Sequence, residues 1–201
     1  MTPSDLQQLF FLTDNQRRAL EQYAELLVKW QSRISLVSRT TLTNLWSRHF
    51  LDSAQLLIHM KNLPGPVLDL GSGAGFPGLV LSIIGRNDIV MVESDSRKVA
   101  FLQAVASATG VSPIIKGCRI ESLQFIAAGI VTARALASVD RLLRYSEPYF
   151  HEETVFLFLK GEQVDDELII AKNTWKMLVT KYSSITYPQG VVLKLEKITR
   201  V

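Results

Sequence analysis

Beyond residue 66 the chain alternates short, continuous apolar runs with segments whose apolar residues recur every three to four positions. The runs at 67–70, 89–93, 113–116, 130–133 and 154–159 read as strands. Helical patterns fall between and after them, over Val99, Leu102, Val105 and Ala106, then over 139–149 and 164–177. Continuous apolar strands separated by helices predict a mostly parallel sheet covered on both faces. Two last strand-like runs, 179–185 and 191–195, flank Pro188-Gln189-Gly190 and predict an antiparallel hairpin that closes the sheet.

Upstream the period is helical only. Thr13 and Gln16 form a capping-box pair ahead of Leu20, Tyr23, Ala24, Leu27 and Trp30. A second helix is expected from about Thr41, with Leu42, Leu45, Trp46, His49, Phe50, Ser53, Leu56, Leu57 and Met60 on a broad stripe, stopped by Pro64-Gly65-Pro66. The expected architecture is α/β in a single domain spanning 1–201. Residues 1–62 form a helical extension packed on a Rossmann-like core at 63–201.

The first strand runs into Asp69-Leu70-Gly71-Ser72-Gly73-Ala74-Gly75-Phe76-Pro77-Gly78. Four glycines there permit sharp turning and a close backbone approach, and the following helix offers free N–H groups, so the segment predicts a cofactor seat. Gly73 to Gly78 also fits the G-x-G-x-x-G pattern of dinucleotide folds. Asp69 tilts the choice, the alternative being a structural glycine turn with Asp69 as a helix cap. A carboxylate at the mouth would repel pyrophosphate but attract the ammonium and sulfonium of S-adenosylmethionine.

Charged residues close the strand-like runs, where open α/β sheets bind their ligands. Glu93 lies twenty residues after Gly73, the spacing at which a carboxylate reaches ribose hydroxyls; pairing with Arg97 across the first helical turn is the alternative. Arg97 and Lys98 begin the next helix, where cations oppose the helix dipole, so an anionic substrate is one explanation and a solvated helix start the other. Arg134 and Lys160 end the fourth and fifth runs and could face substrate or cofactor carboxylate, or form surface ion pairs. His49 sits on an apolar stripe and reads as a core histidine, while its neighbour Arg48 could reach the rim.

Composition sets bounds. With 201 residues, 47% of them hydrophobic, the chain can bury a substantial core, and its net charge of +3 is compatible with a nucleic-acid partner without requiring one. No apolar run approaches the ~20 residues that span a bilayer, so no membrane partner and a cytoplasmic location are expected. The single cysteine, Cys118, reads as packing. No His, Cys and carboxylate grouping has metal-ligand spacing, and no metal is expected. A small-molecule methyltransferase, an NAD-dependent oxidoreductase and a non-enzymatic RNA-binding module remain the competing readings.

Taken with Ile34-Ser35-Leu36-Val37-Ser38, Arg48-His49-Phe50-Leu51-Asp52-Ser53, Cys118-Arg119-Ile120-Glu121, Ala133-Arg134-Ala135 and Leu159-Lys160-Gly161, the glycine segment resembles the RsmG family, also called glucose-inhibited division protein B. These are bacterial guanine-N7 methyltransferases of 16S ribosomal RNA. The resemblance implies a seven-stranded class I methyltransferase fold and S-adenosyl-L-methionine as methyl donor, released as S-adenosyl-L-homocysteine. The small ribosomal subunit or its RNA would be the partner; separately from the resemblance, a monomer is expected. The resemblance further implies cofactor contacts at Gly71, Phe76, Ile120, Glu121 and Arg134, which join Asp69, Gly73 and Glu93, expected from their own charge and spacing. Arg134 and Lys160 would position the reactants, and Arg48, Arg97, Lys98 and Lys160 would hold RNA. The chain departs from the family at Gly129, where an Asp is frequent, and at Glu93, where the acid is commonly Asp.

Overall fold

The computed structural model of the protein describes residues 1–63 and 65–201, so Pro64 of the expected helix stop lies outside the described residues. Seven strands form one sheet in the order β3-β2-β1-β4-β5-β7-β6. They are β1 (Val67–Leu70), β2 (Ile89–Val92), β3 (Ile114–Lys116), β4 (Ile130–Arg134), β5 (Val155–Lys160), β6 (Trp175–Ser183) and β7 (Val191–Arg200). The first five run parallel, and β7 pairs antiparallel with both β5 and β6. Strand order reverses between β1 and β4, which places the ligand-binding edge beside the glycine loop.

The N-terminal helices cover one face. They are α1 (Pro3–Phe10) and α2 (Asp14–Gln31), the latter with the expected box between Thr13 and Gln16, then α3 (Arg39–Leu42), α4 (Asp52–Ala54) and α5 (Leu56–His59). Leu20, Tyr23, Leu27 and Phe50 join Leu79, Val80, Phe101 and Val105 in one apolar cluster, so the extension and the sheet share a core. The other face packs Leu142, Leu143, Phe156, Phe158, Leu168 and Trp175. Between strands run α6 (Gly78–Ile83), α7 (Ser96–Thr109), α8 (Val139–Ser146) and α9 (Val164–Ala171).

Two expected helices differ. The one expected from Thr41 is broken into α3, a π-helical turn at Trp46–Leu51, α4 and α5. The extra residue of a π-turn shifts every later side chain around the axis. The helix expected over 164–177 ends at Ala171, and β6 begins at Trp175. Burial there follows a period of two: Trp175 is buried, Lys176 exposed, Met177 half-buried and Leu178 exposed. Pairing with β7 rewards that alternation, which a helix would not.

Candidate active site

The chain leaves β1 through three left-handed turns, at Gly71 (φ 62°), Gly73 (φ 55°) and Gly75 (φ 94°). At Gly71 a Cβ would stand 2.6 Å from Leu136 Cδ1, and at Gly75 it would stand 2.5 Å from Leu79 Cδ1 and 2.6 Å from the Tyr23 hydroxyl. Tyr23 is fully buried and donates its hydroxyl to the Ala74 carbonyl, tying the loop to α2. Gly75→Ala should therefore lower stability by about 1–3 kcal/mol, the cost of a strained backbone, read as a drop in the denaturant midpoint.

This loop floors a cleft of about 340 Å³ that Gly71, Gly73, Phe76, Glu93, Lys98, Ile120, Glu121 and Arg134 all help to line. Glu93, at the end of β2, accepts 2.8 Å hydrogen bonds from the Gly73 and Asp95 amides. Its carboxylate has about four lone-pair directions and spends two of them on backbone, so two stay available to ribose-like hydroxyls. Ile120 and Glu121 stand in a short 3-10 turn anchored by the Tyr149 hydroxyl, 2.5 Å from the Ile120 carbonyl.

Asp69 is placed differently from its expected position at the mouth. It lies inside β1, fully buried, and does not line the cleft. Its Oδ1 accepts from Thr132 on β4 at 2.9 Å and its Oδ2 from the Gly78 amide at 3.3 Å. Burial pushes its carboxyl up to about 6 against those hydrogen bonds. The side chain holds the glycine loop to the sheet, and any pull on a cation acts through the field and not through contact.

Arg134 ends β4 at the centre of the site. Its Nη1 donates to the Arg48 carbonyl at 3.0 Å and approaches Asp52 Oδ2 at 3.5 Å, while Nη2 donates to His49 Nδ1 at 2.7 Å. The guanidinium also lies 4.9 Å from the Phe76 ring centroid. Since arginine cannot accept, His49 Nδ1 is unprotonated and Nε2–H faces the Thr41 hydroxyl at 2.8 Å. Burial, then the Arg134 and Arg48 charges, hold this imidazole down at about 3, so it is neutral. The π-turn supplies these partners, Arg48 and His49 from within it and Asp52 from the residue after it.

A second cleft of about 720 Å³ opens on the other side of Arg134 and shares Leu36, Arg134, Ala135 and Leu136 with the first. Arg48, His49, Asp52, Lys160, Glu167 and Tyr187 are among its walls. Lys160 Nζ is fixed by the Ala137 carbonyl at 2.8 Å and by Glu167 Oε2 at 2.5 Å. Arg48 lies 4.7 Å from the Tyr187 ring centroid.

Of the expected basic residues, Arg48, Lys98 and Lys160 reach the two clefts and Arg97 does not. Arg97 is exposed and bonded to Asp95, the N-cap of α7, whose carboxyl its side-chain hydrogen bonds hold down at about 2. That pairing accounts for a cation at a helix start. Cys118 lines the first cleft half-buried, against the apolar cluster on that face. Sequence reasoning missed Asp52, Tyr187 and the clamp made by His49. The i, i+1, i+4 spacing of Arg48, His49 and Asp52 was the available signal. Among the described residues there is no group of three or more potential metal ligands, and no helix is long and apolar enough to cross a membrane.

Comparison with known proteins agrees with this geometry. The chain resembles a TehB-like SAM-dependent methyltransferase from Corynebacterium glutamicum (TM-score 0.54, 14% identity, 73% of this chain and 87% of that one). It also resembles the glycopeptide N-methyltransferase MtfA complexed with (S)-adenosyl-L-homocysteine (TM-score 0.58, 11% identity, 74% and 89%). The fold is thus that of class I SAM-dependent methyltransferases. A ribosomal RNA small subunit methyltransferase G from Paramagnetospirillum magneticum is 48% identical over 181 residues, 90% of this chain and 88% of the relative. Another from Rhodospirillum centenum is 41% identical over 195 residues, 97% of this chain and 90% of the relative. The GidB family model, described as rRNA small subunit methyltransferase G, matches residues 16–193, and the chain belongs to that family.

Proposed function

We propose that the protein transfers a methyl group from S-adenosyl-L-methionine to N7 of a guanine in 16S ribosomal RNA. The observation that carries this reading is Arg134, which stands between a cofactor-sized cleft and a larger one walled by Arg48 and Lys160, and lines both. When bound in the first cleft, S-adenosyl-L-methionine would supply a sulfonium-activated methyl group. The residues fit such a guest. Glu93 keeps lone pairs for the ribose, Ile120 and Glu121 offer an edge for adenine, and side-chain-free Gly71 and Gly73 let the backbone approach the amino-acid end.

Guanine N7 carries a lone pair and no proton, so the chain needs no general base. Its residues contribute alignment, which can account for about 7–11 kcal/mol of a barrier. Arg134, braced by His49 and the Arg48 carbonyl, fixes the border between the two reactants. Arg48 and Lys98 present positive charge toward RNA phosphate, and Lys160 and Arg97, paired here with Glu167 and Asp95, would add to it by exchanging those carboxylates for phosphate.

Transfer of labelled methyl to unmethylated small-subunit RNA and to its particles, followed by nucleoside analysis, tests the proposal. The expected product is 7-methylguanosine; label in another nucleoside, or none, would overturn it. Melting is the quicker check. A ligand at 100 times its Kd stabilises by about 2.7 kcal/mol, so S-adenosyl-L-methionine should raise the melting temperature and NAD should leave it unchanged.

A further inference from the structure

We infer that Asp52 is the residue that selects guanine, by accepting hydrogen bonds from the Watson–Crick edge of the target base through its Oδ2. The inference rests on the proposed function and adds a specificity-determining residue to it.

Asp52 lines the second cleft, and its side chain is largely buried. Its two oxygens are unequally engaged. Oδ1 accepts 2.8 Å hydrogen bonds from both Gln55 Nε2 and the Thr186 hydroxyl. Gln55 is itself held, because its Oε1 accepts from the Ile185 amide at 3.0 Å and its Nε2 reaches Ser184. The turn between β6 and β7 and the N-terminal extension thereby lock the carboxylate in one orientation. Oδ2 has only the Arg134 guanidinium at 3.5 Å, whose Nη1 makes its shorter bond to the Arg48 carbonyl.

A rigid carboxylate with one under-used oxygen, in a cleft bordering the methyl-transfer point, is a specific reader. It can only accept. Among the four RNA bases guanine alone presents adjacent donors, N1–H and the 2-amino group. Adenine and cytosine each set an acceptor beside their single amino group, and uracil flanks N3–H with two carbonyls. These three would bring a lone pair against Oδ2. A buried acceptor left unpaired by the wrong base turns a small contact into strong discrimination. Glu167, the other carboxylate on this cleft, also has one oxygen held twice, by Lys160 at 2.5 Å and by the Val139 amide at 2.8 Å, but its ion pair is with Lys160 and not with Arg134, the residue that lines both clefts and borders the transfer point.

The test uses small-subunit RNA carrying guanosine or inosine at the methylated position. Inosine keeps N7 and N1–H but lacks the 2-amino group. The full-length wild-type enzyme should act on inosine about tenfold more slowly in kcat/KM, and Asp52→Asn should bring the guanine-to-inosine ratio close to one. A purely structural role, through Arg134, would slow both substrates equally and keep the ratio. Asp52→Ala is carried in parallel, and melting curves establish that each variant is folded. Equal wild-type rates on the two substrates would overturn the inference without any variant, as would a wild-type ratio that persists in both variants. No transfer by the wild type to any guanine would instead defeat the proposed function.

Discussion

Arg134→Ala should slow methyl transfer about 10²-fold at saturating cofactor and RNA, the scale on which a misplaced reactant by roughly an ångström costs rate. The reason is geometric. One planar guanidinium serves the Arg48 carbonyl, His49 Nδ1 and the face of Phe76 at once, and it lines both clefts. Without it, a buried imidazole acceptor and a backbone carbonyl lose their donor, which costs about 1–3 kcal/mol for each group left unpaired. The variant should therefore melt earlier yet still fold, and its rate is to be compared below its own transition. Arg134→Lys separates charge from shape. A single ammonium keeps the positive charge but not the fork that reaches both acceptors, so the rate should stay well below wild type while much of the stability returns. Wild-type turnover in both variants, measured under single-turnover conditions, would remove Arg134 from the machinery.

What the sequence disclosed follows the range of the forces involved. Strands β1 to β5 match the apolar runs to within a residue at either end; for β1, β2, β4 and β5 this is because a strand buried on both faces is written as a nearly continuous apolar stretch, whereas β3 is a short edge strand that is exposed or half-buried. The glycine loop was equally plain, since only glycine takes its turns at Gly71 and Gly75 without a clash. Roles that depend on distant partners were not legible. Asp69 was visible as a charge in an apolar strand, but its partner Thr132 stands 63 residues away, and nothing local says that the pair faces the loop and not the cleft. Likewise, the stripe from Leu42 to Met60 reads as one helix because a π-turn leaves the apolar pattern broad and merely shifts it. That shift is what brings Arg48, His49 and Asp52 to Arg134, at a position where Ala135 is held at φ 52° and lines both clefts. The basic pair at 97–98 split for the same reason, Arg97 returning to Asp95 at its own helix start and Lys98 turning toward the cleft.

Acid should leave two opposed signatures in the stability of this protein, separable by two single substitutions. Burial raises the Asp69 carboxyl from 3.8 to about 6, so the native state binds a proton there more readily than the unfolded chain. Its contribution is fully present below pH 3.8 and is lost as pH rises through 6, about 3 kcal/mol in all. His49 is the reverse. Its imidazole falls from 6.5 to about 3 on folding, so its contribution is present above pH 6.5 and is lost as pH falls toward 3, about 5 kcal/mol in all. Between pH 6 and 4 the two slopes, each about 1.4 kcal/mol per pH unit, cancel. Asp69→Asn removes the first without removing the contacts, because the amide oxygen can still accept from the Gly78 N–H and its NH2 can donate to Thr132 Oγ1. Denaturant unfolding of Asp69→Asn should then show stability, relative to wild type, highest above pH 6 and shrinking as pH falls to 4. His49→Asn, whose side-chain oxygen can take the Arg134 hydrogen bond, should show the opposite trend. Taking each variant against wild type at the same pH cancels the exposed carboxylates, which titrate in both. Variant and wild-type curves that stay parallel from pH 7 to 4 would mean that neither group changes its proton affinity on folding, and the buried Asp69–Thr132 and Arg134–His49 contacts would have to be redrawn.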